Sequence, residues 1–239
     1  MNPLCIISGG TSGIGFGIAE KIASRYRLAL IYKNKHERAN GALVALSKIS
    51  PDMQKVFCGD LAKPEEAERI YQEIVDWDSR PAEVLINCAG GNKSSFFAKD
   101  PLSHQLDVVQ QNLFSCMNLT HFALKKMYPN KRGHIINISS LCVESPFLGT
   151  TSYAAAKAGV EAFTENLARE VRRAGIRVNC IRPGLVRTPM TEAHIAQNPR
   201  LQSMLVSLSG ITGAVDYLLN PDNESVSGAI IPVVNAELR

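Results

Sequence analysis

Short apolar runs and helical stripes alternate along the chain from one end to the other. Nearly continuous apolar runs at Leu4–Ile7, Leu28–Tyr32, Lys55–Cys58, Val84–Asn87, His134–Ile138, Arg177–Ile181 and Ile230–Val233 predict strands. The stretches between them predict helices. In the first, Ile14, Ile18, Ile22 and Ala23 recur at helical spacing between Ile14 and Arg25. Apolar strands separated by helices predict an α/β fold: a doubly wound, mainly seven-stranded parallel sheet covered by helices on both faces. Ligands of such a sheet gather at the carboxyl ends of its strands. No internal repeat, low-complexity tract or long polar linker interrupts the alternation, so residues 1–239 are expected to form a single domain.

Composition narrows the function. With 239 residues and 45% hydrophobic content, the chain can bury a sizeable core. Its 26 basic and 22 acidic residues leave a net charge of +4, too mild and dispersed for nucleic acid as a principal partner but compatible with anionic ligands. No apolar run approaches the roughly twenty residues that span a bilayer, and the N-terminus enters a strand without a charged leader, so a cytoplasmic protein with no membrane partner is expected. The six cysteines (Cys5, Cys58, Cys88, Cys116, Cys142 and Cys180) lie far apart, with neither Cys-x-x-Cys spacing nor an adjacent histidine cluster. They are expected to be reduced packing residues, with no metal site. Cys142, two residues beyond Ser140, lies nearest the candidate chemistry.

Two motifs carry that chemistry. Ser8-Gly-Gly-Thr-Ser-Gly-Ile-Gly15 follows the first strand and opens the first helix. Glycines in such a turn let the backbone approach a pyrophosphate, and the free N–H groups at the helix start attract its charge. The absence of a Gly-Lys-Ser/Thr ending makes the turn a better match to a dinucleotide than to a triphosphate loop. In Thr151-Ser-Tyr-Ala-Ala-Ala-Lys157, Tyr153 and Lys157 stand four apart on one helix face. An ammonium beside a phenol favours the phenolate, which equips the phenol to give and take a proton. The spacing alone also fits an exposed amphipathic pair.

Taken together, these residues resemble the short-chain dehydrogenase/reductase family along nearly the whole chain, which implies a Rossmann-type domain. Its glycine motif is matched by Gly9, Thr11, Ser12, Gly13, Ile14 and Gly15, with Ser8 where a threonine is usual. Its later motifs are matched by Asp60-Leu61, by Asn87-Cys88-Ala89-Gly90 with Cys88 for a second asparagine, and by Arg182-Pro-Gly-Leu-Val-Arg-Thr188. The resemblance implies a catalytic tetrad of Asn112, Ser140, Tyr153 and Lys157. Tyr153 would act as acid or base, Ser140 would hold the carbonyl oxygen, Lys157 would assist Tyr153 and bind ribose hydroxyls, and Asn112 would hold a water linking Lys157 to solvent. Ser139, one place off the family interval, is the weaker candidate for the serine. By the same resemblance, Asp60 and Leu61 frame the adenine, and Asn87, Ala89 and Gly90 frame its ribose. Thr188 meets the nicotinamide amide after the Pro183-Gly184 turn, with Val186 contributing its backbone.

No acid ends the second strand, where one would bind the ribose hydroxyls of NAD; Lys33 and Lys35 stand there instead, which favours NADP(H). A solvated basic turn would look the same. The overall pattern is most similar to the β-ketoacyl-[acyl-carrier-protein] reductases, implying reduction of a 3-oxoacyl thioester with an acyl carrier protein as partner. Lys125, Lys126, Lys131, Arg132, Arg172 and Arg173 could form a basic rim for that partner or simply a solvated surface. Another ketone, alcohol or sugar substrate, or a non-catalytic dinucleotide sensor, are the alternatives. The chain departs from the family at residues 191–213, where the lid is short, and at Asn235-Ala236, where Asp-Gly-Gly is typical. A homodimer or homotetramer is expected, packed through helices near Asn112–Lys126 and Ala154–Val171.

Overall fold

A computed structural model describes residues 2–92 and 94–235. All seven expected strands form: β1 Leu4–Ser8, β2 Arg27–Tyr32, β3 Gln54–Cys58, β4 Val84–Asn87, β5 Gly133–Ile138, β6 Ile176–Pro183 and, after two short strands, β9 Ile230–Val233. They build one parallel sheet in the order β3-β2-β1-β4-β5-β6-β9. The chain winds outward from β1 to β3, then crosses back to place β4 on the other side of β1. The crevice of a doubly wound sheet therefore opens between β1 and β4.

Alternation along each strand divides the core in two. Leu4 and Ile6 of β1 point to one face, with Ala29, Ile31, Leu85 and Ile135. Helices α3 (Pro64–Trp77), α5 (Ser115–Asn130) and α6 (Thr151–Val171) cover that face through Ile70, Ile74, Leu119, Ala123, Leu167 and Val171. Cys5 and Ile7 point the other way, with Leu28, Leu30, Ile86 and Ile136. There α1 (Gly13–Ile22), α2 (His36–Ser47) and α8 (Leu208–Leu219) close the layer with Ile18, Ile22, Leu46, Val215 and Leu218.

Some elements differ from expectation. The first helix ends at Ile22 rather than Arg25, where the chain tightens and the Arg25 N–H returns to the Ile22 carbonyl three residues back at 2.9 Å. Residues 191–213 hold α7 (Glu192–Gln197), a 3-10 turn Pro199–Met204, and β8 (Leu205–Val206), which pairs in parallel with β7 (Leu185–Val186). This stretch is thereby strapped to the segment that follows β6. Between α4 (Leu102–Val109) and α5 the helix widens into a π turn, Gln110–Phe114. Of the Asn235-Ala236 pair, Ala236 lies outside the described residues.

Candidate active site

The glycine turn lies at the carboxyl end of β1. Gly9 and Gly13 have positive φ, +66° and +55°, which a side chain resists. Gly15 is fixed by space: a Cβ there would stand 2.4 Å from the Gly9 carbonyl oxygen. Ser8 closes the crevice from below, its Oγ accepting from the N–H groups of Cys88 and Ala89 at 3.0 Å each. Ser12 precedes α1 without capping it, and the first turn of α1 carries no acid, so neither a capping side chain nor a carboxylate competes with an anion at the helix start. Across the turn, a Cβ on Gly13 would meet Thr188 at 3.4 Å, which sets the expected diphosphate and nicotinamide positions side by side. Thr191 holds Thr188 in place: its Oγ1 accepts from the Thr188 N–H at 3.0 Å and donates to the Val186 carbonyl at 2.6 Å. Pro183 ends β6, and the Gly184 N–H continues the pairing to the Val233 carbonyl at 2.8 Å.

Two of the tetrad candidates, Asn112 and Lys157, meet at Gly90. A Cβ at Gly90 would lie 2.3 Å from Asn112 Oδ1 and 3.6 Å from Lys157 Nζ. Lys157 is 5% exposed and donates to the Ile138 carbonyl at 2.8 Å, with its ammonium 5.8 Å from the centre of the Tyr153 ring. An ammonium carries three protons. The π turn aims Asn112 inward: Nδ2 donates to the carbonyls of Gly91 (2.7 Å) and Val108 (2.8 Å), while the buried Oδ1 has no partner among the described residues. Buried amide oxygens are seldom left so, and this one suits the water expected at Asn112. Ser140 is half-buried at the end of β5, and its Oγ accepts from the Cys142 N–H at 3.2 Å. Ser139 is engaged elsewhere, donating to Glu161 at 2.6 Å.

At the adenine end the geometry is less open. Lys33 Nζ lies 2.8 Å from Asp60 Oδ2, so the cation expected to face a 2′-phosphate is shared with the acid expected beside the adenine. Desolvation alone would raise the Asp60 pKa, but Lys33 and the Ala62 N–H outweigh it and hold the carboxyl below its ordinary range. Lys35 stands at the start of α2, and Leu61 is buried. Asn87 turns into the core: Nδ2 donates to Thr120 and Asn137 at 2.9 Å, and its buried Oδ1 has no partner among the described residues. All six cysteines are free thiols, with Cys58 and Cys88 only half-buried. Withdrawal of the Cys88 sulfur from water pushes its thiol up to about 11, which keeps it inert beside the site.

The structure adds residues that sequence reasoning missed. Gln105, 5% exposed, accepts from Ser152 at 2.6 Å and donates to Ser95 at 3.2 Å and Asp100 at 2.9 Å. It bolts the loop after β4 to the start of α6, next to Tyr153. The six basic side chains of the expected rim lie toward the amino ends of β5 and β6, across the sheet from Ser140 and Tyr153. Among the described residues, no group of three or more metal-binding side chains forms, and no helix is long and apolar enough to cross a membrane.

A glycine-lined crevice at the switch point, with a tyrosine and a buried lysine on the neighbouring helix, defines an oxidoreductase that uses a nicotinamide dinucleotide on CH–OH or C=O groups. The model of the family described as short chain dehydrogenase matches residues 4–199, and the chain belongs to that family. A 3-oxoacyl-[acyl-carrier-protein] reductase of Homo sapiens is 31% identical, over 98% of this chain and 97% of that protein. An acetoacetyl-CoA reductase of Allochromatium vinosum is 29% identical over 98% and 97%. Among solved structures, an actinorhodin polyketide ketoreductase variant with NADPH superposes with a TM-score of 0.89 at 27% identity, covering 97% of this chain and 95% of that one.

Proposed function

We propose that this protein reduces a 3-oxoacyl thioester, carried by an acyl carrier protein, to the 3-hydroxyacyl thioester with NADPH. The observation that carries the reading is the buried Lys157 ammonium, set between the Tyr153 ring and the unpartnered oxygen of Asn112. Bound NADPH supplies the hydride to the carbonyl carbon. Tyr153 gives its phenolic proton to the oxygen that becomes the alcohol, and Ser140 donates a hydrogen bond that holds this oxygen while its charge develops. Lys157 stabilises the phenolate left behind and offers its remaining protons to ribose hydroxyls. Asn112 Oδ1 accepts from a water through which Lys157 regains a proton from solvent. Gly9, Thr11, Ser12, Gly13, Ile14 and Gly15 receive the diphosphate; Asp60, Leu61, Ala89 and Gly90 line the adenosine, with Asn87 offering its backbone there because its side chain turns into the core; Pro183, Gly184, Val186 and Thr188 seat the nicotinamide.

The residues fit a dinucleotide: a side chain on Gly15 would obstruct the turn, the first turn of α1 holds no carboxylate, and Asn112 keeps an unused acceptor. NADPH over NADH is supported by Lys35 and Lys33 after β2 and by the neighbouring ketoreductase with NADPH. The thioester and its carrier are supported by the names of the relatives. The basic residues at the amino ends of β5 and β6 do not flank Tyr153 within one protomer, so they carry no weight in that choice. Self-association belongs to the same reading, since exposed Leu102, Leu106, Phe114 and Met117 run along α4 and α5.

The test is loss of NADPH absorbance with an acetoacetyl-pantetheine or carrier-protein thioester. Wild type should turn over faster with NADPH than with NADH, and Tyr153→Phe should lower kcat by about a hundredfold or more. NADPH binding without turnover of any 3-oxoacyl thioester would overturn the substrate assignment.

A further inference from the structure

One buried carboxylate joins the three segments that carry the proposed chemistry. Glu161 follows Tyr153 and Lys157 at the same four-residue interval on α6 and is 6% exposed. Its Oε1 accepts from Ser139 Oγ at 2.6 Å and from Arg182 Nε at 2.8 Å, while Oε2 accepts from Arg182 Nη2 at 2.7 Å. Ser139 immediately precedes Ser140, and its own N–H donates to the Ile181 carbonyl at 2.8 Å. Arg182 immediately precedes Pro183 and Gly184, and its Nη1 also reaches the Glu144 carboxylate. Glu144 closes the 3-10 turn Leu141–Val143, which Ser140 Oγ opens by accepting from Cys142. The Ser140 loop, the Tyr153 helix and the end of β6 are thus tied at one point, behind the site.

Stability is a weak reason for this arrangement. A buried ion pair costs about as much in lost hydration as it regains by attraction, and apolar residues of similar volume often serve as well. What a bidentate guanidinium–carboxylate pair adds is fixed geometry. The half-buried Ser140 hydroxyl is held directly by one N–H alone, that of Cys142 at 3.2 Å, and a displacement of about 1 Å in a reacting group can cost about a hundredfold in rate.

We propose that Glu161, clamped by Arg182, is a positioning residue that sets the Ser140 hydroxyl through Ser139. The proposal rests on the carbonyl-reductase reading. Glu161→Leu combined with Arg182→Leu removes both buried charges and leaves no buried ion uncompensated, since Glu144, which also loses Arg182, is exposed. The double variant should melt within a few degrees of wild type and bind NADPH within about threefold. Its kcat should nevertheless fall by about thirtyfold to a hundredfold, with KM for the ketone little changed. Backbone amides of residues 139–145 should exchange hydrogen about tenfold faster. Glu161→Gln, which keeps an acceptor for Ser139, should recover part of the rate.

A double variant with kcat within threefold of wild type and unchanged exchange at 139–145 would overturn the proposal. So would losses of rate, NADPH binding and melting temperature in parallel, which mark a plain core strap. Should the double variant fail to fold, Ser139→Ala leaves the ion pair whole and must itself speed exchange and lower kcat. If wild type reduces no ketone, exchange still decides: faster exchange in an intact fold sustains the positioning of Ser140 while the reductase reading fails, and unchanged exchange overturns it.

Discussion

Gly15 shows how closely the site depends on single atoms. A methyl group there would fall 2.4 Å from a backbone oxygen of Gly9, a neighbour with no flexible side chain to move aside. Gly15→Ala should therefore force the turn open, destabilising the fold by about 1–3 kcal/mol and weakening NADPH binding about tenfold or more. Urea midpoints and a fluorescence titration check both, and unaltered binding would remove the diphosphate from this turn. At this scale much of the site could be read in the sequence, because glycines, Tyr153 and Lys157 announce themselves by type and spacing. Partners distant along the chain could not: Gln105 meets Ser152 and Lys33 meets Asp60 only after the sheet has formed. Glu161 was half visible, as the next step of the Tyr153–Lys157 series, but nothing in the sequence names Arg182 or Ser139 as its partners.

Among the elements, the strands were legible because burial on both faces makes them short, apolar and distinct. Their helices were legible in place but not in detail. Periodicity does not register the extra residue in the Gln110–Phe114 turn, which aims Asn112 at Gly90, nor the β7–β8 strap across the lid. The α4–α5 unit also carries a prediction of its own. Leu102 and Leu106, one turn apart on α4, are 62% and 52% exposed, and Phe114, at the end of the π turn, and Met117, on α5, are exposed as well. Such a surface is costly to leave in water. Sedimentation at micromolar concentration should show a dimer or tetramer, and Leu106→Asp with Met117→Asp should yield monomer. A wild-type monomer would refute the interface.

Over the whole molecule, acid should act at the end of the sheet opposite the site. His134 is 5% exposed at the start of β5, with its Nδ1 2.8 Å from Arg177 Nη2 and its Nε2 3.1 Å from Asn179 Nδ2. Both neighbours are donors and a neutral ring has one accepting nitrogen, so the shorter contact, from the Arg177 guanidinium to Nδ1, is the hydrogen bond and the ring is neutral. Desolvation, and then the Arg177 charge, push the His134 pKa down to about 3 from an ordinary value of 6.5. The unfolded chain takes up a proton below pH 6.5 that the folded chain refuses until about pH 3. Unfolding therefore binds protons in that window, and stability declines as pH falls, by up to about 1.4 kcal/mol per unit from this group. Urea midpoints between pH 7 and 4.5 should fall less steeply for His134→Gln than for wild type; equal slopes would clear His134 of the effect.

The amide of Asn87, bonded to Asn137 and through it to Thr164, has a consequence for folding accuracy. In a sheet clad in apolar helices on both sides, sliding one strand by a residue exchanges one greasy surface for another, and hydrophobicity hardly distinguishes the two alignments. A misaligned β4 or β5 would instead strand these amides against isoleucine. The polar pair thus acts as a vernier mark between strands, and it lies directly beneath the loops that carry Gly90 and Ser140. An error of one notch would lift either loop by about 3.3 Å relative to its neighbour, so the height of the chemistry is decided three residues below it.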